Sequence, residues 1–352
     1  MEEVLKQLFE MVIIPFLFVL LIVPLIKKVA VHVGAMDIPN ERKVHKKPMP
    51  RLGGIAIYLG FLLGYMIYGT HSSQMNSILI GSFIILLTGI VDDIKPLKAQ
   101  HKFIGQFVAA CILVFYGNFV MQEVSAFGIV LQFGAFSEII TLFFIVGCIN
   151  CMNLIDGLDG LAAGISSIYF LTVGIIAVMQ GKFGLDFILT FVMLGSTLGF
   201  LVHNFHPASI FMGDSGSMFL GFIIATISLL GFKNVTMSSF IIPLLILAVP
   251  ILDTLFAIMR RTLKGESIST PDKFHIHHQL LNRNFSQRQT VLIIYAINLL
   301  FAFASIVYVL EDAVLGYVIY GILLVIIGIF VAKTNVIFDH KKKKSFFKKN
   351  KE

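Results

Sequence analysis

The stretch NLIDGLDG at 153–160 sets Asn153, Asp156 and Asp159 three residues apart at the end of a membrane-grade apolar run. An aspartate at the centre of an inserted helix costs about 2.5–3.5 kcal/mol. Either the pair stands outside the lipid, or it does chemistry that offsets the cost. Comparable groups recur in VDD (91–93), HNFHPASIFMGDSG (203–216) and PDKFHIHH (271–278). Asp92, Asp93, Asp156, Asp159 and Asp214 make five carboxylates, and the loops at 153–160 and 203–216 contain no Lys or Arg. Carboxylates gathered without counter-charge repel one another, so this set points to a shared divalent cation. Oxygen-only donors favour Mg2+ or Mn2+.

Spacing divides the roles. Asp92 and Asp93 are adjacent and point about 100° apart on a helix, so one can bind metal while the other does something else. Asn153, Asp156 and Asp159 would share a face if their stretch is helical. Gly213 and Gly216 flank Asp214 and Ser215 just before an apolar run, and a helix N-terminus there suits a phosphate. His275, His277 and His278 could bind a phosphate or a sugar through imidazole; zinc would need a fourth ligand that is absent nearby in sequence. Simpler readings stand beside these. Asp159 could cap a helix starting near Leu161, and Asp214 or Ser215 one starting near Met218. Asp253 could form a tucked-in salt bridge with Arg260–Arg261. The convergence of five carboxylates favours chemistry over capping.

The elements that must position these groups are apolar helices. The chain is 57% hydrophobic and 13% charged, about half the charge of a water-soluble domain at roughly 25%. Eleven apolar segments fall near 11–26, 53–69, 77–91, 103–120, 138–152, 161–179, 187–203, 217–231, 238–258, 290–308 and 313–332. A backbone in lipid must satisfy its own hydrogen bonds, so the expected fold is all-α, a polytopic membrane protein of about 11 transmembrane helices. The acidic leading end, with Glu2, Glu3 and Glu10, reads as a first span rather than a cleaved signal. Cys148 and Cys151 form a CxxC without a thioredoxin-like setting and read as helix packing.

Charge sets the expected orientation. With the N-terminus outside, the loop at 27–52 carries seven Lys/Arg, 92–102 three, 259–289 six and the tail from Lys333 eight. Only Lys6, Lys182 and Lys233 remain outside, which follows the positive-inside rule and puts the C-terminus in the cytoplasm. The loops 27–52, 92–102, 153–160, 203–216 and 259–289, with all five aspartates and eight of the ten histidines, then share the cytoplasmic face with the tail, which holds a ninth. Residues 1–332 form one membrane-embedded domain in this reading, and 333–352 a basic tail anchored to the lipid bilayer rather than to nucleic acid.

Beyond phosphoryl transfer with a membrane-dissolved partner, physics alone does not go. The DD at 92–93, NLIDGLDGLA, NFHPASIFMGDSG and HIHH resemble the polyprenyl-phosphate N-acetylhexosamine-1-phosphate transferases, from RKVHKKPMPRLGG at 42–54 through residue 278. The resemblance implies a bacterial cell-membrane enzyme that uses Mg2+ or Mn2+. It would pass N-acetylglucosamine-1-phosphate from UDP-N-acetylglucosamine to undecaprenyl phosphate and release UMP. Asp92 and Asp93 match the Asp-Asp pair implicated in metal binding and in handling the lipid phosphate, and Asp214 matches a metal-coordinating aspartate. Asn153, Asp156 and Asp159 match a loop near the nucleotide, Asn204 falls in a matching motif, and Lys46 or Lys47 in the region of a nucleotide-side lysine. The form HIHH resembles enzymes using UDP-N-acetylglucosamine. GFKN, LAVPILDTLFA and RQTVLIIY resemble the Gram-positive enzymes that start wall teichoic acid synthesis. The peptidoglycan branch, with its pentapeptide donor, is the alternative. An ion-coupled transporter should instead place its acids at mid-membrane in repeated halves. The resemblance leaves room for a homodimer.

Overall fold

The computed structural model describes residues 2–39, 45–126, 129–233, 246–263, 265, 274–310 and 313–332. In chain order, α1 is Glu2–His32, β1 Met36–Asp37, β2 Met49–Pro50, α2 Gly53–Tyr68, α3 Ser73–Ile94 and α4 Ala99–Cys111, continued by a π turn over Ile112–Tyr116. There follow β3 Glu123–Ala126, β4 Ile129–Gln132, α5 Ser137–Ile155, α6 Leu161–Met179, α7 Leu185–Asn204 and α8 Gly213–Lys233. The chain continues with α9 Ala248–Leu263, α10 Ile276–Leu281, α11 Gln287–Leu310 and α12 Ala313–Ala332. Among the described residues the strands form two antiparallel pairs, β1–β2 and β3–β4.

Among the described residues nine helices are long and apolar enough to cross a membrane, and α2 is a shorter apolar helix. Ten of the eleven expected segments fall on these helices. The other, 238–258, lies partly outside the described residues, and its second half is the start of α9.

Helix α8 is the centre of the bundle: 94% of its apolar window is buried, against 17% for α12 at the periphery. It packs against α2, α3 and α5, while α7 packs on α1, α2 and α6. Several hydroxyls inside the bundle bond the preceding turn of their own helix, as Thr197 does to the Met193 carbonyl, Thr226 to Phe222 and Ser228 to Ile224. That lets polar side chains be buried without leaving a donor unsatisfied. The apolar packing therefore runs unbroken along α8 to its N-terminus, where the polar groups collect.

Candidate active site

Three elements meet at the start of α8. Segment 50–54 runs beside 211–212, with Phe211 N donating to Pro50 O (2.8 Å) and Gly54 N to Met212 O (2.8 Å). This pairing seats Arg51 above the helix end. From the side, the last turn of α3 brings Asp93. Its carboxylate accepts the backbone N–H groups of Asp214 (2.8 Å) and Ser215 (3.1 Å) and the Ser215 hydroxyl (2.7 Å). Arg51 reaches the same carboxylate at 3.1 Å. Gly213 makes the approach feasible: its φ is +74°, and a Cβ there would stand 2.3 Å from Asp93 Oδ2. The helix end expected to receive a phosphate is thus occupied by a carboxylate of the chain itself, and Asp93, rather than Asp214 or Ser215, caps α8.

The carboxylates are not without counter-charge, as the loops had suggested. Arg51 also reaches Asp214 (3.2 Å) and Asp37 (3.6 Å). Lys102, in the first turn of α4, bonds Asp92 at 3.0 Å and also bonds Asp214. Asp92 further accepts Leu97 N at 2.8 Å. Burial works against the Arg51 charge, but Asp93, Asp214, Asp37 and Asp92 outweigh it and hold its pKa above the ordinary value. Arg51 and Lys102 are remote in sequence from Asp214, although Lys102 is only ten residues from Asp92, so the acidic loops that carry no Lys or Arg did not reveal them.

A cleft of about 360 Å3 opens beside this cluster. Asn153, Asp156, Asp159, Asn204 and Asp214 line it, with Asp37, His45, Arg51 and Phe211 along one side and His277, His278 and Gln287 along another. Asp156 follows the last residue of α5, so Asn153, Asp156 and Asp159 do not share a helical face. Among the described residues no donor bonds the Asp156 carboxylate. Removal from water, reinforced by Asp214, pushes its pKa up to about 7, with Arg51 opposing.

Asp159 does not cap α6, whose N-cap is Gly160 without a side-chain bond. Its carboxylate instead accepts His206 Nδ1 (2.8 Å) and Ala208 N (3.1 Å). Asn204 uses both ends of its amide as a brace, accepting Gly160 N (3.1 Å) and donating to Ile210 O (2.9 Å). Asn153 donates to Ser217 Oγ at 2.9 Å.

The three histidines divide. His277 and His278 line the cleft, whereas His275 is buried behind it and its Nδ1 bonds Asp253 at 2.8 Å. Asp253, expected beside Arg260–Arg261, is the partner of His275 instead. Lys46 and Lys47 are exposed and do not line the cleft. The preceding residue, His45, does: it pairs with Asp37 at 3.3 Å and stands edge-on to Phe211 at 5.0 Å. Arg51, Lys102, His45, His206 and Gln287 are the residues that sequence reasoning passed over. The signal for the first two was the need to neutralise five clustered carboxylates at a membrane surface.

Among the described residues no three of His, Cys, Asp and Glu gather into a metal cage. The donors nevertheless fit Mg2+, which characteristically takes one or two carboxylates and completes its shell with water and substrate phosphate. The carboxylates of Asp156, which no donor bonds among the described residues, and of Asp214 line the same cleft.

Residues 75–232 match glycosyl transferase family 4. The "Probable undecaprenyl-phosphate N-acetylglucosaminyl 1-phosphate transferase" of Bacillus subtilis (strain 168) is 44% identical over 298 residues, 84% of this chain and 83% of that protein. The decaprenyl-phosphate N-acetylglucosaminephosphotransferase of Mycobacterium tuberculosis (strain ATCC 25618 / H37Rv) is 37% identical, across 77% of this chain and 74% of its own length. The undecaprenyl-phosphate alpha-N-acetylglucosaminyl 1-phosphate transferase of Salmonella typhi is 29% identical, across 79% and 78%. The chain belongs to glycosyl transferase family 4.

Proposed function

We propose that this member of glycosyl transferase family 4 transfers N-acetylglucosamine-1-phosphate from UDP-N-acetylglucosamine to undecaprenyl phosphate, giving the lipid diphosphate-linked sugar and UMP. The observation that carries the reading is the Asp156 carboxylate, unbonded among the described residues, sharing a cleft with Asp214 at the end of a membrane bundle. The names and coverage of the relatives support the same substrates.

The donor occupies the cleft. Its nucleotide lies on the Phe211 side, the one aromatic carbocycle among the lining residues described, and its sugar lies toward His277, His278 and Gln287. The lipid phosphate enters from the bilayer beside α4, where Phe103 and Phe107 are exposed and stacked at 6.0 Å. Lys102, next to Phe103, is the first cation it meets and holds it against the repulsion of the diphosphate.

An oxygen of the lipid phosphate attacks the β-phosphorus, the bond from that phosphorus to the bridging oxygen breaks, and UMP departs with the electron pair. A phosphate monoester is already largely anionic at pH 7, with a second pKa of about 6, so a strong base is unnecessary. Both oxygens of Asp93 are engaged by donors, which favours this direct displacement over an aspartyl-phosphate route through that residue. Arg51 keeps Asp214 in register with the cleft. A divalent ion held by Asp156 and Asp214 would neutralise charge gathering on the departing UMP.

The cleft faces the cytosol, with the N-terminus outside; the distribution of Lys and Arg supports that orientation.

The test is UMP release by purified protein given undecaprenyl phosphate, Mg2+ and, in separate reactions, UDP-N-acetylglucosamine, UDP-N-acetylgalactosamine or UDP-N-acetylmuramoyl-pentapeptide. Lipid- and metal-dependent release from the first donor is the expected result. Release from the pentapeptide donor alone would move the enzyme to the peptidoglycan branch.

A further inference from the structure

Behind the cleft lies a carboxylate that the reaction above does not use. Asp253, on α9, is 2% exposed. One oxygen accepts His275 Nδ1 at 2.8 Å and the other accepts Ile276 N, the first backbone donor of α10, at 2.7 Å. The His275 side chain contributes no cap bond of its own to α10, so the Asp253 carboxylate satisfies that helix end from a different helix. The His275 ring lies parallel to that of His277, 4° apart in plane at 5.6 Å between centroids, and His277 meets His278 at 4.3 Å. On its far side, His277 abuts the backbone of Gly157. A Cβ at that position would stand 2.8 Å from His277 Nε2. These contacts link the buried Asp253, through His275, to His277 and His278, which line the cleft.

We propose that Asp253 and His275 form a positioning pair that sets how His277 and His278 are presented to the donor sugar. The proposal rests on the assignment of His277 and His278 to the sugar end of the cleft. His275 does not line the cleft, so its contribution is indirect. The carboxylate keeps the ring proton of His275 on Nδ1, and two bonds from one buried group hold ring and helix start in a single arrangement. An asparagine at 253 retains the shape but changes the pattern. If its amide oxygen takes the Ile276 N–H, its NH2 faces Nδ1 and moves the ring proton of His275 to Nε2.

The test compares steady-state kinetics of UMP release in Asp253→Asn, His275→Ala, His275→Asn and His278→Ala, varying UDP-N-acetylglucosamine and undecaprenyl phosphate separately. Asp253→Asn and His275→Ala are expected to raise the donor KM about tenfold, with kcat changed far less and the lipid KM unchanged. The lipid KM serves as the internal measure of an intact fold. His275→Asn keeps a donor near the Nδ1 position and should recover the donor KM to within about threefold of wild type. Selective imidazole nitrogen labelling should show the His275 proton on Nδ1 in wild type and on Nε2 in Asp253→Asn. An unchanged donor KM in Asp253→Asn, or equal damage from His275→Asn and His275→Ala, would overturn the positioning role while leaving the sugar site standing. An unchanged donor KM in His278→Ala would remove the sugar site itself, and the positioning role with it.

Discussion

Asp93 and Asp156 sit at the same end of the bundle, close enough for the charge of one to raise the pKa of the other, yet they are in opposite conditions. Asp93 is enclosed, with its side chain fully buried and its oxygens engaged by two backbone donors, a hydroxyl and the Arg51 guanidinium. Asp156 lines a cleft and has no such partner among the described residues. Buried charge is tolerable only when it is paired and hydrogen-bonded. Asp93 meets that condition from within the protein and ties α3 and Arg51 to the start of α8. Asp156 is only partly buried, opens on the cleft and has no such partner among the described residues, which leaves its charge accessible to whatever binds there. Identical side chains thus differ in the donors around them, and the proposed reaction assigns the chemistry to the one that faces the cleft.

The sharpest way to break this comparison is Asp156→Asn. It should reduce UMP release about a thousandfold, the scale of losing one preorganised electrostatic group, while thermal melting stays at or above the wild-type value because an uncompensated charge has been removed. Activity within tenfold of wild type would return Asp156 to the background. Asp93→Ala should act in the opposite sense: loss of about 3–5 kcal/mol of stability, from leaving Arg51 and a helix end unpaired, read as a lower melting temperature. If the melting temperature holds and only metal affinity falls, Asp93 is a ligand and the contrast collapses.

A third measurement sharpens the contrast through pH. A carboxylate with a pKa near 7 is protonated below that pH, so a cation must displace a proton to bind there. Apparent Mn2+ affinity by titration should therefore weaken as pH falls from 8 to 6, approaching about tenfold per pH unit below 7. Asp156→Asn should abolish that slope. The smallest effect is expected at the rim: Lys46→Ala and Lys47→Ala, both exposed, should each change the donor KM by less than about threefold.

The elements were legible because lipid imposes a strong rule. Runs such as 161–179 and 313–332 coincide with α6 and α12 as the structure has them, since an apolar segment in a bilayer has no alternative to a helix. Asp214, Asp156 and the histidines were legible because polar groups stand out against such a background. The sequence pointed to Lys46 or Lys47 and not to His45, because which of several neighbouring side chains faces a cleft depends on the turn that carries them. Asp159 looked like a cap because it precedes a helix. Its carboxylate turned to His206 and Ala208 because the loop after α7 folds against it, a long-range fact with no local signature.

The sequence by itself determined that this is a helical membrane protein with acids and histidines gathered between its spans, since hydropathy and residue type are local properties that a bilayer reads segment by segment. Only the tertiary structure decided what each acid does. Arg51 and Lys102 reach their carboxylates across 163 and 112 residues of sequence to Asp214. Which charge is neutralised, and which is left to face the cleft, depends on distances that exist only once α3, α4 and α8 have packed together.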